Sequence, residues 1–418
     1  MTKRLLLAVV GAVVALTGCG GGGGAPDGGS VTPATKVGFI YVGPREDYGW
    51  TKSHEDGRLY LESYGTNVKT EFVESVTAAE GAAKIDELYA KGCKIVFTTS
   101  FDFMQSALEA PESHGDLWTF NCAGFRTAHH AGNYMARLEE AEYLAGMVAG
   151  KMTRTNKVGV VGALRIYEQM MHINAFSLGV RSVNPNAQVL VRWVGNWFNP
   201  AMETKAVEEL VSGDADVIKA MTDTNIPVVA ADGKKTPSDN TVYSIGINNK
   251  DFCNSAPNTC LTSSYYNWGP YYVKLVKEVV ENKYPAAGRV DYLGSKDLDI
   301  VGIADLSSKV PADVKTLVND KKTAITGGTF NVFQGPFKDQ GGAEWKKAGE
   351  TLTDHELECT SKFVEGVVDF DGPACTSNAD CNLNKTTAGE KDAFYDSFLA
   401  CDPASSKCKA ADLSGCGG

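Results

Sequence analysis

The chain has 418 residues, and its 40 Lys and Arg are outnumbered by 51 Asp and Glu, for a net charge of −11 at pH 7. That balance makes phosphate polymers poor partners and leaves no basic patterning for nucleic acid. The length exceeds one ordinary core and suits two lobes, and the 11 cysteines fit an oxidising compartment outside the cytosol.

The first residues, "MTKRLLLAVVGAVVALTGC", carry two basic residues and then an apolar run too short to act as a transmembrane span. Leu16-Thr17-Gly18-Cys19 follows as a lipobox, so residues 1–18 read as a secretory signal and Cys19 as the lipidated first residue of the mature chain. Such a chain is expected to be anchored to a membrane, facing the periplasm or exterior, without spanning it. Residues 19–35 are rich in Gly, Ser and Pro and read as a flexible tether.

From Lys36 onward, apolar strands alternate with amphipathic helices. "KVGFIYVG" predicts a strand and "WTKSHEDGRLYLESYG" a helix; "NVKTEFVES", "TAAEGAAKIDELYAKG", "CKIVFTTS", "SALEAPES" and "LWTFNCAG" repeat the alternation, and "NYMARLEEAEYLAGMVAGKM" adds a long helix. A second series opens at "NKVGVVGAL" and runs through "AFSLGVRSVNP", "AQVLVRWVGNW", "METKAVEELVSG", "ADVIKAMTDT" and "NTVYSIGIN". Strands separated by helices predict parallel sheets, so the expected fold is α/β, with two doubly wound lobes.

In open α/β sheets a ligand settles beyond the carboxyl ends of the strands. Those ends are "GPREDYGWT", "TTSFDF", "GALRIYEQ", "GNWFNP", "MTDTN" and "GINNKD". Aromatic side chains there can cover a flat ligand while acids and amides take its edge. The stacking candidates are Trp50, Phe101, Trp197 and Trp268; the polar candidates are Asp47, Asp102, Asp223, Asn248 and Asn267. The alternative is structural: Phe101 and Trp197 would plug lobe cores, and Asp47 would cap the next helix.

Catalytic motifs are missing: GxSxG, HExxH, the P-loop and the glycine-rich dinucleotide turn do not occur. The chain therefore reads as a binding protein and not an enzyme, without cofactor or metal. The adjacent His129 and His130 would point apart in regular structure, as an exposed pair. Cys253 and Cys260 flank a short loop and are disulfide candidates. Cys359, Cys375, Cys381, Cys401, Cys408 and Cys416 crowd the last sixty residues or so as a disulfide-stapled tail whose pairing is not readable. CxxC pairs are absent, which argues against zinc there.

"KVGFIYVGPREDYGWTKSHEDGR", "IVFTTSFDFM", "YLAGMVAGKMTRTNKVGVVGA", "INAFSLGVRSVNPNAQVLVRWVGNWFNP" and "NWGPYYVKLVK" resemble the basic membrane protein family. That family comprises substrate-binding lipoproteins of ABC importers, including purine nucleoside receptors. "TGGTFNVFQGPFKDQGG" and "FVEGVV" add to the likeness, which runs in order from about Lys36 to Phe370. The resemblance implies a type I periplasmic binding fold with three crossings between lobes and capture of a ligand by lobe closure. It divides the chain into residues 36–134 with about 265–300 as one lobe, 135–264 with about 301–371 as the other, and 372–418 as an appended cysteine-rich module.

Carried over by residue, the likeness puts Asp47, Gly49 and Trp50 on the family's D-x-[SG]-aromatic loop, with the aromatic against a base and the acid at its polar edge. Asp223 falls within its Thr-Asp-Ser element, and Asn267 and Trp268 on its hinge Asn-Trp. Met221 replaces a histidine usual in relatives, and "PVVAADGKKTPSDNTV" is shorter and more polar than the usual helix. The resemblance implies a purine base or nucleoside as ligand and ABC permease subunits as partners. A ligand sensor coupled to a signalling partner, or a sugar-binding protein of the same fold, are the alternatives.

Overall fold

The computed structural model describes residues 34–64, 67–369, 399–402 and 407–410. The signal, Cys19 and most of the tether lie outside the described residues, as do Cys375, Cys381 and Cys416.

The chain begins with β1 (Thr35–Ile40), α1 (Trp50–Tyr64), β2 (Val68–Val73), α2 (Gly81–Ala90) and β3 (Ile95–Thr98). It continues through α3 (Met104–Ser113), β4 (Trp118–Cys122) and β5 (Ala131–Ala136). The second series is α4 (Leu138–Met152), β6 (Lys157–Gly162), α5 (Tyr167–Val183), β7 (Gln188–Trp193) and α6 (Pro200–Ser212). Then come β8 (Val217–Met221), α7 (Ile226–Ala231), β9 (Tyr243–Gly246) and β10 (Cys260–Tyr266). The chain ends its return with α8 (Trp268–Val280), β11 (Val290–Leu293), β12 (Val301–Ile303) and α9 (Ala312–Thr326). A last segment forms the hairpin β13 (Phe337–Lys338) and β14 (Glu344–Lys346), α10 (Asp354–Glu358) and β15 (Val367–Asp369).

Two sheets result. The first has the order β11-β5-β4-β3-β1-β2 and is parallel throughout. The second has the order β12-β10-β9-β8-β6-β7-β15 and is parallel except where β12 meets β10. Parallel strands covered on both faces must be apolar on both sides. β1 obeys this: Phe39 packs against Tyr272 of α8, with ring centroids 5.2 Å apart, in the core cluster that also holds Leu61 of α1, while its neighbour Ile40 belongs to a separate cluster with Ile85 and Leu88 of α2. In the second sheet α4, α5 and α9 lie together and α6 packs with α7.

In each sheet the strand order reverses beside the first strand, at β1/β3 and at β6/β8. These switch points are where the following loops diverge and open a crevice. The chain passes between the sheets three times: from β5 into α4, from β10 into α8, and from β11 to β12. Short crossings of this kind let two lobes move about a narrow hinge.

The last segment is built onto the second sheet. β15 runs parallel to β7, with Val367 opposite Val189, and the Asn174 side chain of α5 holds it by accepting from the Val364 amide at 2.9 Å and donating to the Lys362 carbonyl at 3.1 Å. Cys253 and Cys260 form a disulfide with Cα atoms 5.3 Å apart, and Cys359 is also disulfide-bonded. Cys401 and Cys408 occupy opposite positions of an antiparallel pair of short strands. Cys93 and Cys122 are buried free thiols.

Candidate ligand cleft

The first-lobe wall is the loop between β1 and α1. The Asp47 carboxylate accepts hydrogen bonds from the backbone amides of Gly49, Thr51 and Lys52, each at 2.9 Å. It thereby caps α1, satisfying donors that the first turn leaves without helical partners. Burial raises its pKa, opposed by those same amides. The capped loop turns sharply, with Tyr48 in the left-handed region at φ 68°, and delivers half-buried Trp50 as the first residue of the helix.

Trp50 is fixed by its indole N–H, which donates to the Thr99 carbonyl at 2.7 Å and so ties the β1 and β3 loops together across the switch point. Its ring meets His54, Tyr266 and Trp268 edge-on, at 4.6, 5.6 and 6.3 Å. His54 is fully buried against Tyr272, with Nδ1 2.6 Å from the tyrosine oxygen, and burial holds its pKa well below the usual value, so it stays neutral.

The second-lobe wall comes from the ends of β6, β7, β8 and β9. The Asp223 amide donates to the Trp197 carbonyl at 3.0 Å, which joins two strand-end loops. Beneath them, buried Glu203 accepts from the Thr222 and Thr224 hydroxyls and from the Asn199 amide. Asn248, in the left-handed region at φ 67°, donates to Asp223 Oδ1 at 3.4 Å. Asn is among the few residue types that adopt this backbone readily.

Desolvation raises the Asp223 pKa well above the usual carboxylate range, and the charges of Asp47, Glu168 and Glu203 push the same way. Glu168, in the first turn of α5, is pushed up to about 7 by burial alone. Lys219 does not offset them: it lies in the lobe interior, 3.0 Å from Glu142 and donating to the Gly246 carbonyl at 2.7 Å.

The two walls meet at the mouth. A Cβ placed on Gly49 would lie 3.2 Å from the Asp223 carbonyl oxygen. Nearby, Asn249 donates across the lobes to Asp56 at 2.8 Å.

Of the nine residues expected to touch ligand, Asp47, Trp50, Asp223 and Asn248 come together about this contact, and half-buried Trp197 adjoins Asp223. Phe101, half-buried after β3, lies parallel to Phe125 with centroids 6.2 Å apart. Asp102 is exposed at the start of a 3-10 turn, where its amide donates to Ser100 Oγ at 3.3 Å.

Two expectations need correction. Trp268 has no exposed surface: Tyr266 stacks on it at 4.7 Å and His54 at 4.9 Å, so it braces the wall from inside and offers no face to a ligand. Asn267 already directs its amide N–H to the Asp299 carbonyl at 3.2 Å, tying two crossing segments together. The histidine pair also differs, since His130 adopts φ 58° and its ring stacks between those of His129 and Trp118, at 3.9 Å from each.

Sequence reasoning missed Glu168, Asn249 and Glu203. Glu168 and Asn249 stand in strand-end segments that the alternation marks, "GALRIYEQ" and "GINNKD"; position alone could have added them. Glu203 gave no such signal, because an acid in a first helical turn is ordinary.

Residues 34–331 match the family described as ABC transporter substrate-binding protein, PnrA-like. This chain belongs to that family. A purine-binding protein from Brucella abortus (strain 2308) is 35% identical over 336 residues, 80% of this chain and 93% of its own. A protein of Haloferax volcanii named for glucose binding by an ABC transporter is 28% identical over 83% of this chain and 82% of its own. The solute-binding protein of an ABC transporter system from Conexibacter woesei DSM 14684 superposes with a TM-score of 0.60 at 17% identity, covering 71% of this chain and 98% of that one.

The last likeness shows the fold, a two-lobed periplasmic binding protein. PnrA-like substrate-binding proteins are extracytoplasmic and are, in general, not enzymes. No helix among the described residues of this member is long and apolar enough to cross a membrane.

Proposed function

We propose that this PnrA-like protein captures a purine base or nucleoside between its lobes and delivers it to an ABC permease for import, held to the membrane by lipid on Cys19. The observation that carries the ligand assignment is the pairing of an aromatic wall in one lobe with carboxyls in the other, at the two switch points. Trp50 supplies a ring anchored through its N–H, and Asp223 and Glu168 supply hydrogen-bonding groups for a nitrogen-bearing edge. The 35% identity to a purine-binding protein supports the same class. Asp47 acts one step back, by shaping the loop that presents Trp50.

Closure follows from contacts to both lobes, since a ligand shifts the equilibrium only by its differential affinity for the closed state. A sugar is the second reading, favoured by the 28% identity to the glucose-named protein and by the readiness of aromatic faces to cover a sugar ring. Denaturing the purified protein and identifying the released small molecule by mass spectrometry tests the assignment. A purine at near-stoichiometric amount supports it, and a sugar at that amount overturns it.

A further inference from the structure

Lys219 of β8 carries its charge with no exposed surface. Three oxygens surround the ammonium: the Gly246 carbonyl of β9 at 2.7 Å, Ser264 Oγ of β10 at 3.2 Å and Glu142 Oε1 of α4 at 3.0 Å. An ammonium has three hydrogens to donate, so each finds an acceptor. The Ser264 hydroxyl gives its own hydrogen to the same Glu142 oxygen at 2.5 Å, which closes the ring of contacts.

Each element in that ring leads to the cleft or to a crossing between the lobes. Asp223 follows Lys219 by four residues, Asn248 follows Gly246 by two, and Tyr266 follows Ser264 by two on the way into α8. Glu142 lies in α4, just past the crossing from β5. The backbone ladder between β8 and β9 stops at Lys219 opposite Ile245. Beyond that pair, side chains join the two strand ends: the Lys219 ammonium at the Gly246 carbonyl, and the Asn248 amide at Asp223 Oδ1, 3.4 Å away. The Tyr266 amide donates in turn to the Asn248 carbonyl at 3.2 Å, and the Tyr266 ring meets Trp50 edge-on at 5.6 Å.

A buried ion pair is a poor means of stabilising a fold, because desolvation offsets the attraction and apolar residues of like volume often do as well. An apolar pair could not hold the Gly246 carbonyl or the Ser264 hydroxyl. Resting on the purine reading of the cleft, we propose that Lys219 is a positioning residue for the ligand. Tethered by Glu142, its ammonium sets the end of β9 against the end of β8, so that Asn248 and Asp223 meet the ligand as one polar wall.

The paired substitution Lys219→Met with Glu142→Gln tests this, since it removes both charges together and leaves an acceptor for Ser264. Cooperative melting reports folding, hydrogen exchange of the ligand-free protein reports the loops, and calorimetry reports the affinity for adenine. The expected result is faster exchange in residues 221–225 and 246–250, with adenine bound at least about tenfold more weakly. Placed in an Asn248→Ala background, the same pair should cost no more than about twofold further, because residues that act as a unit do not add. A general loss of structure would not show that non-additivity. If the paired variant does not fold, Ser264→Ala takes one acceptor from the ammonium at no cost in charge, and should speed exchange in the same loops and weaken adenine about threefold, the size of one ordinary hydrogen bond.

Wild-type adenine affinity in the folded variant overturns the inference and leaves the purine reading standing, as does unchanged exchange in both loops. A full further loss in the Asn248→Ala background also overturns it, by placing the effect of Lys219 elsewhere in the lobe. A wild type that binds no adenine overturns the purine reading, and exchange in the two loops then decides this inference alone.

Discussion

Gly49 of the first lobe lies against the backbone of Asp223 of the second, so near that a Cβ at Gly49 would meet the Asp223 carbonyl oxygen at 3.2 Å. The contact joins the loop that presents Trp50 to the loop that presents Asp223, and it exists only when the lobes are together. Gly49→Val should therefore leave the melting temperature of the ligand-free protein nearly unchanged while weakening ligand binding by more than about tenfold. Affinity equal to wild type, measured by calorimetry, would show that the lobes do not approach this closely around ligand.

The Asn249 to Asp56 hydrogen bond, 2.8 Å across the same mouth, is a clasp of ordinary strength. Losing about 1 kcal/mol from the closed state alone should speed ligand release about fivefold in Asn249→Ala, with little change in association. Stopped-flow displacement reads both rates. A change confined to association would place the bond outside the closure step.

Asp47 and Asp223 belong to the same mouth but differ in kind. Because three amides converge on Asp47, Asp47→Ala should cost about 1–2 kcal/mol of stability through the lost cap. Asp223 carries a carboxyl held neutral against desolvation and neighbouring acids, so Asp223→Asn should not destabilise the ligand-free fold. Denaturant unfolding of the two variants separates these roles, and equal losses would contradict them.

Glu203→Ala strands the hydroxyls of Thr222 and Thr224 and the amide of Asn199 inside the second lobe. Buried donors without acceptors cost about 1–3 kcal/mol each at the upper end of experience, so a loss of about 3 kcal/mol is expected together with weakened ligand binding. Full stability in urea would mean that the loop finds other acceptors.

At the hinge, Glu139 follows the crossing from β5 and accepts from the Tyr292 hydroxyl of β11 at 3.0 Å. Burial raises its pKa to about 8 despite Arg137 at 3.7 Å. An acid whose folded pKa lies above its unfolded value binds more protons folded than unfolded. Stability therefore falls as pH rises between the ordinary carboxyl pKa and about 8, and levels above it. Glu139→Gln keeps an acceptor for Tyr292 and does not titrate, so its melting temperature should gain on the wild type from pH 5 to pH 8. Parallel pH profiles would contradict the buried acid.

The fold was legible because each element announced itself. "KVGFIYVG" and "NKVGVVGAL" are apolar on both faces, as strands covered by helices on both sides must be, and the intervening segments carry helical spacing. The loops around the cleft followed from the rule for strand ends. Which side chains turn into the cleft did not follow. Trp50 and Trp268 are equally plausible from sequence and each begins a helix, yet the first is half-buried while the Tyr266 and His54 rings stack on the second. Asp47 reads as either ligand contact or cap until the three amides are seen. Glu168 stood in a strand-end segment that the alternation marks, yet nothing in "GALRIYEQ" tells that burial raises the pKa of its carboxyl.

Titration of adenine and adenosine into the purified protein by calorimetry, for the wild type and for Trp50→Ala and Asp223→Ala, addresses the central claim most directly. Binding of one purine per chain, weakened by at least about tenfold in each variant, is the expected result. No heat from either purine in the wild type, or affinity unchanged in both variants, would contradict a purine held between Trp50 and Asp223.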